Sequence, residues 1–114
     1  MGHIAIEGRR IDGLTGLVAG HLYLVYTDDL GNEWIIRGGP ENSLAPYGYI
    51  RTIGGDQLLS ASVDARQAGE TPIDRGAIIL NLGVRSAEDV WAVLSQASLE
   101  IGNANIPYTI DASA

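Results

Sequence analysis

At 114 residues, 46 % hydrophobic and without cysteine, the chain is sized for one domain over residues 1–114 with a single core, and it has no disulfide, thiolate metal site or cysteine nucleophile. Its basic residues are seven arginines, with no lysine, scattered from Arg9 to Arg85, and the net charge is −7; both facts argue against nucleic acid and anionic membrane surfaces as partners. No apolar run reaches the roughly 20 residues of a membrane span and no charged-then-apolar leader opens the chain, so a soluble protein without a Sec-type signal is expected, cytoplasmic or exported as part of a longer chain.

The 15 glycines favour turn-rich β structure over a helical bundle. Residues 4–7 alternate apolar and polar and read as a first strand. Gly8, Gly13, Gly16 and Gly20 mark residues 9–20 as a connector. Two β-rich runs, 22–27 and 33–37, flank a polar turn at 28–32 in which Gly31 is available for a positive φ, the pattern of a β-hairpin. Residues 38–47, with Gly38, Gly39, Pro40 and Pro46, read as loop, and 49–53 as a short strand ended by Gly54 and Gly55. Residues 59–66 alternate cleanly, which predicts a half-buried antiparallel strand, and 67–75 form a polar loop. Residues 77–82 are apolar apart from Asn81, which predicts a strand buried on both faces.

From Ser86 the period becomes helical. Ser86 is placed to cap, Glu88 and Asp89 lie in the first turn, and Ala87, Val90, Trp91, Leu94, Ala97 and Ile101 form one apolar stripe. Gly102 and Asn103 offer a left-handed stop, after which 106–110 returns to extended structure with Pro107 at a strand start or edge. The expected fold class is α+β: an antiparallel sheet of four to six strands with one long C-terminal helix packed on one face, Trp91 dominating the contact.

Strand alternation puts His21, Tyr23, Val25 and Thr27 on one face and Leu22, Leu24 and Tyr26 on the other. The first set is the more polar, so His21 is expected on a face that reaches solvent or a cleft, opposite residues 38–40 and with Tyr23 near Arg37. An imidazole that titrates near neutrality, with glycines leaving room beside it, suits general-base work. His21 is therefore the candidate catalytic residue, and Tyr23, Arg37, Gly38 and Gly39 are the candidate substrate contacts. The plainer role for His21 is a hydrogen-bonded sheet-end histidine, and for Arg37 an ion pair with Glu33 or Asp28. No serine stands in a nucleophile elbow, and Gly38-Gly39-Pro40 is not a phosphate loop. Asp28 and Asp29 lack the spacing of a calcium loop, and His3 and His21 are too far apart to suggest a metal pair, so no metal or cofactor is expected.

The segment His21-Leu-Tyr-Leu-Val-Tyr, followed by Glu33-Trp-Ile-Ile-Arg-Gly-Gly, resembles the histidine strand and its partner in circularly permuted papain-like domains. That superfamily includes NlpC-like cell-wall peptidases, lecithin:retinol acyltransferase-like proteins and PPPDE isopeptidases. Over residues 21–110 the chain also resembles bacterial domains, some attached to secreted proteins with calcium-binding repeats. The resemblance implies acyl transfer on an amide or ester through a covalent intermediate, with His21 as base and the nucleophile on a later helix start. In the bacterial domains a Gln-Asn-Ser-Asn-Ser-like motif follows the segment matching 89–108. Here Asp-Ala-Ser-Ala stands in its place, and Ser113 is a poor substitute. The expectation is thus a papain-like hydrolase or acyltransferase-type domain, truncated before its nucleophile segment and catalytically incomplete as written, acting on a small-molecule or peptide ligand.

The alternative is a non-catalytic binding or interaction module that uses an exposed sheet face, with Tyr23, Trp34, Tyr47 and Tyr49 as contacts. A third reading, self-association through exposed Trp34 and Leu99, leaves the oligomeric state open.

Overall fold

The computed structural model describes residues 2–12, 18–40 and 49–107. Five strands, β1 (His3–Asp12), β2 (Val18–Thr27), β3 (Glu33–Pro40), β4 (Ile50–Leu58) and β5 (Ile78–Ile79), form one antiparallel sheet in the order β4-β3-β2-β1-β5. One 17-residue helix, α1 (Ala87–Asn103), packs on it, so the α+β architecture is as the patterning predicts. Among the described residues no helix is long and apolar enough to cross a membrane.

The central hairpin follows its turn chemistry. Asp28 Oδ1 accepts from the backbone N–H groups of Leu30 and Asn32, both at 2.9 Å, and Gly31 takes φ +84°. Oδ2 accepts from Trp34 Nε1 at 3.1 Å, so Asp28 is committed to the turn. Pairing of β2 with β3 then runs only from Thr27–Glu33 to Leu24–Ile36. Beyond that point β2 stays paired with β1 as far as Val18, and β3 stays paired with β4 as far as Pro40. The sheet therefore forks into two arms. A cavity of about 430 Å³ lies at the fork, with Leu22, Leu24, Ile36, Leu94 and Ile101 among its walls.

Several boundaries differ from the sequence reading. The first strand and the hairpin strands run through glycines taken as breaks, because a neighbouring strand supplies partners on either side: β1 continues past Gly8, and β3 through Gly38 and Gly39. Gly54 and Gly55 do not end β4 but make a bulge. Ile35 pairs with Gln57 and Ile36 with Gly54, leaving Gly55 and Asp56 extra on β4. The expected strand over 59–66 is instead a 3-10 turn, Leu59–Ala61, followed by irregular chain. Ser62 Oγ donates to the Leu59 carbonyl and accepts from the Asp64 N–H, which bends this stretch locally. Residues 77–82 yield only the two-residue edge strand β5, and Ile78 and Ile79 are exposed rather than buried on both faces.

The sheet is covered on both sides. On one face Ile4, Leu24, Tyr26, Trp34 and Ile36 pack with Ala87, Trp91 and Leu94 of α1. On the other, Tyr23, Val25 and Ile35 pack with Leu59 and Ile53. The chain between β4 and β5 lies over the face bearing His21 and Tyr23 and buries Tyr23, while Arg9, His21 and Arg37 keep part of their surface in contact with solvent. The helix begins as expected, with Ser86 Oγ accepting from the Asp89 N–H at 3.1 Å. It ends two residues later than the Gly102–Asn103 stop: Ala104 is the C-cap, and Asn105 carries the positive φ, +53°. Pro107 bridges Tyr49 at the far edge, while residues 108–110 of the expected last strand, and Tyr47 of the proposed contact set, lie outside the described residues.

The β4 bulge is the point where the helix is pinned. The Gly55 carbonyl accepts from Trp91 Nε1 at 3.0 Å, and a Cβ on Gly55 would stand 2.0 Å from Ser95 Oγ. Gly31 has the same φ, +84°, with nothing within 4 Å of such a Cβ. Gly31→Ala is expected to cost about 1 kcal/mol in backbone strain, and Gly55→Ala about 2 kcal/mol or more because overpacking adds to it. Urea unfolding of both variants checks the difference; equal costs would mean that the helix does not press on the bulge.

Candidate active site

The site is built around a carboxylate with no exposed surface. Asp64 lies in the irregular stretch after β4 and meets three strands. Arg9 of β1 donates through Nε to Oδ1 at 2.9 Å. His21 of β2 places Nε2 at 3.2 Å from Oδ2, and Arg37 of β3 places Nε at 2.8 Å from the same oxygen. Arg9 and His21 are direct partners in the β1–β2 register, and Arg37 comes from the other arm of the fork. Asp64 therefore clasps the two arms where their own pairing has stopped.

A second arginine layer fixes this clasp. Arg75, itself buried, donates through Nη1 to the Asp64 carbonyl at 2.9 Å and to the Tyr23 hydroxyl at 2.7 Å, and through Nη2 to the Ala65 carbonyl at 3.0 Å and to Glu70 at 2.7 Å. Tyr23 in turn donates to buried Glu7 at 3.3 Å, and its ring stacks near that of His21, with centroids 6.0 Å apart. Arg66 closes the network between Glu7 and Glu33. Tyr23 thus contributes its hydroxyl to an interior network. The Arg37 partner is Asp64, while Glu33 pairs with Arg66. Gly38 is exposed and Gly39 half-buried beside the site. Of the other proposed contacts, Trp34 is packed against the helix-side core, whereas Tyr49 and Leu99 are exposed.

The charges set the protonation states. Burial alone raises the Asp64 carboxyl, but the Arg9 hydrogen bond and the cationic charges around it outweigh that and hold it below its ordinary value. Burial depresses the His21 imidazolium. Asp64 opposes this, Arg37 and Arg9 reinforce it, and the balance lies below the ordinary value of 6.5. His21 is accordingly a neutral imidazole at neutral pH. His21 Nε2 lies between Asp64 Oδ2 at 3.2 Å and Arg37 Nε at 3.3 Å, and it can donate to the first or accept from the second but not both; the tautomer with Nε2–H directed at Asp64 leaves the Nδ1 lone pair as the proton acceptor. Burial, reinforced by Glu7, raises the Tyr23 phenol, which therefore stays protonated.

Asp64, Arg9, Glu7 and Arg75 are the members that sequence reasoning did not assign to the site. Asp64 lies within residues 59–66, whose expected strand does not form, and it reaches Arg9 across 55 residues, a separation that leaves no local spacing to read. Among protein-family models, curated proteins and solved structures, none matches the chain.

Removing the Asp64 charge leaves Arg9, Arg37 and the covering chain without their shared partner. Asp64→Asn is expected to lower unfolding free energy by about 3 kcal/mol, the low end for breaking a buried ion pair because both guanidinium groups keep some solvent contact. Acid should act in two stages. Unfolded chains bind a proton at His21 near pH 6.5 and native ones only below it, so stability is full above that value and is lost as pH falls through the folded-state pKa. The Asp64 contribution is present above its unfolded value of about 3.8 and is lost below it as the native carboxylate protonates. Denaturant titrations across this range check the order, and His21→Gln should abolish the upper stage only.

Proposed function

We propose that this chain carries the base half of a papain-like acyl-transfer site acting on an amide or ester carbonyl, with His21 as the general base and Asp64 as the residue that orients it. The observation that carries the reading is the 3.2 Å contact between His21 Nε2 and a fully buried Asp64 carboxylate. A base held by a carboxylate has one tautomer and one direction for its free nitrogen, which is what proton abstraction from a nucleophile requires. The depressed imidazole pKa keeps that nitrogen unprotonated at neutral pH. General-base action here requires the tautomer in which Nε2–H donates to Asp64, so that Arg37 Nε, 3.3 Å from Nε2, is a neighbour and not a donor to it; among the described residues no hydroxyl is hydrogen-bonded to His21. The attacking group is then water or a nucleophile beyond these residues. Arg37 stabilises negative charge next to the base, and it also lines the cavity at the fork.

Hydrolysis of p-nitrophenyl acetate tests the reading. The chain should exceed an equal concentration of free histidine, and the rate should already be level at about pH 7, falling only as His21 protonates below 6.5. His21→Ala should return the rate to background. A folded His21→Ala variant that hydrolyses as fast as the parent would overturn the assignment.

A further inference from the structure

Among the described residues Arg9, Arg37, Arg66 and Arg75 take part in the polar network on the His21 face, and they are used unequally. Arg66 and Arg75 spend their terminal amino groups on Glu7, Glu33, Glu70, the Tyr23 hydroxyl and two backbone carbonyls. Arg9 and Arg37 meet Asp64 through Nε only. Among the described residues their terminal amino groups donate no hydrogen bond, although each fork holds four further N–H donors. Their side chains are 33 % and 23 % exposed, so neither arginine is sealed from solvent.

The charges are unequal too. Around Asp64 two guanidinium cations and a neutral imidazole face one carboxylate, an excess of one positive charge. At the other end Arg66 and Arg75 face Glu7, Glu33 and Glu70, an excess of one negative charge. In a chain whose net charge is −7, this solvent-facing positive locus lies against the candidate base.

We propose that the terminal amino groups of Arg9 and Arg37 form a subsite for an oxyanion, a carboxylate or phosphate group of the ligand, immediately beside His21. Planar guanidinium forks bind such groups by paired, charge-assisted hydrogen bonds, and here both forks are held from behind by Asp64. Taken with the acyl-transfer reading, on which this assignment of substrate depends, the subsite makes the substrate an anionic acyl compound. The groups facing His21 are Arg9 from β1, Tyr23 from its own strand, Arg37 from β3 and Asp64 from the covering chain. A bound anion adds a negative charge to that set and should raise the His21 pKa.

The test is proton NMR of the two histidine rings in the intact chain, titrated with sodium acetate and, separately, inorganic phosphate, against sodium chloride at equal ionic strength. The expected result is a saturable shift of His21 and an upward move of its pKa with one or both oxyanions, while exposed His3 serves as the internal control. Saturation by phosphate only assigns a phosphate-bearing ligand; saturation by acetate only assigns a carboxylate. Arg9→Gln and Arg37→Gln should each weaken binding on the order of tenfold. A linear response, a response equal to that of chloride, or equal movement of His3 and His21 overturns the subsite without recourse to any variant. Binding is read here without turnover, so failure of the ester assay and failure of the subsite are separate results.

Discussion

The buried carboxylate of Asp64 is the constraint on which the arrangement of the whole polar face depends. A lone carboxylate withdrawn from water is far too costly to persist, so its position dictates that cations stand around it. Arg9, His21 and Arg37 come from three different strands to meet that demand, and Arg75 holds the backbone that carries Asp64. The result is that a stretch with almost no regular structure is located as firmly as a strand would be, by ionic and hydrogen-bonded contacts rather than by a ladder.

This clasp matters because the sheet is not continuous. β2 and β3 part after Leu24 and Ile36, and each continues with a different neighbour. The helix supports the sheet from one side through Trp91 and the β4 bulge; the chain around Asp64 supports it from the other. The two arms are braced on both faces, and where their strand pairing stops His21 and Arg37 meet each other and Asp64 through their side chains. The candidate chemistry thus lies where regular hydrogen bonding has been given up.

Elements governed by local rules were legible in the chain. The hairpin could be read because Asp28 and Gly31 supply turn chemistry within five residues, and the helix because Ser86 and the Trp91 stripe act within a few turns. Residues 59–66 misled for the opposite reason: their alternation has the period of a strand, but Leu59 and Asp64 are the buried pair, five positions apart, and no neighbouring strand is there to receive them. Residues 77–82 were apolar without being interior, since Ile78 and Ile79 sit at a sheet edge. His21 stood out as a candidate from its place on the hairpin, whereas the carboxylate it meets did not, because nothing near Asp64 in the chain reports what lies across the fold. Arg37 was expected to pair with Glu33 or Asp28 on its own hairpin; it pairs instead with Asp64, from outside the hairpin.

The clasp also has a consequence for the order in which the molecule assembles. The hairpin turn closes over a handful of residues, whereas Asp64 joins His21 across 43 positions and Arg9 across 55. The entropy of closing a loop rises with its length, and the three partners converge only after their strands have paired. The hairpins can therefore form without the site, but the site cannot form without the hairpins. Conversely, a local opening that lifts the chain between β4 and β5 would part Asp64 from His21 while the strands and helix keep their own contacts. The candidate site thus rests on contacts that span far more of the chain than the hairpin turn does.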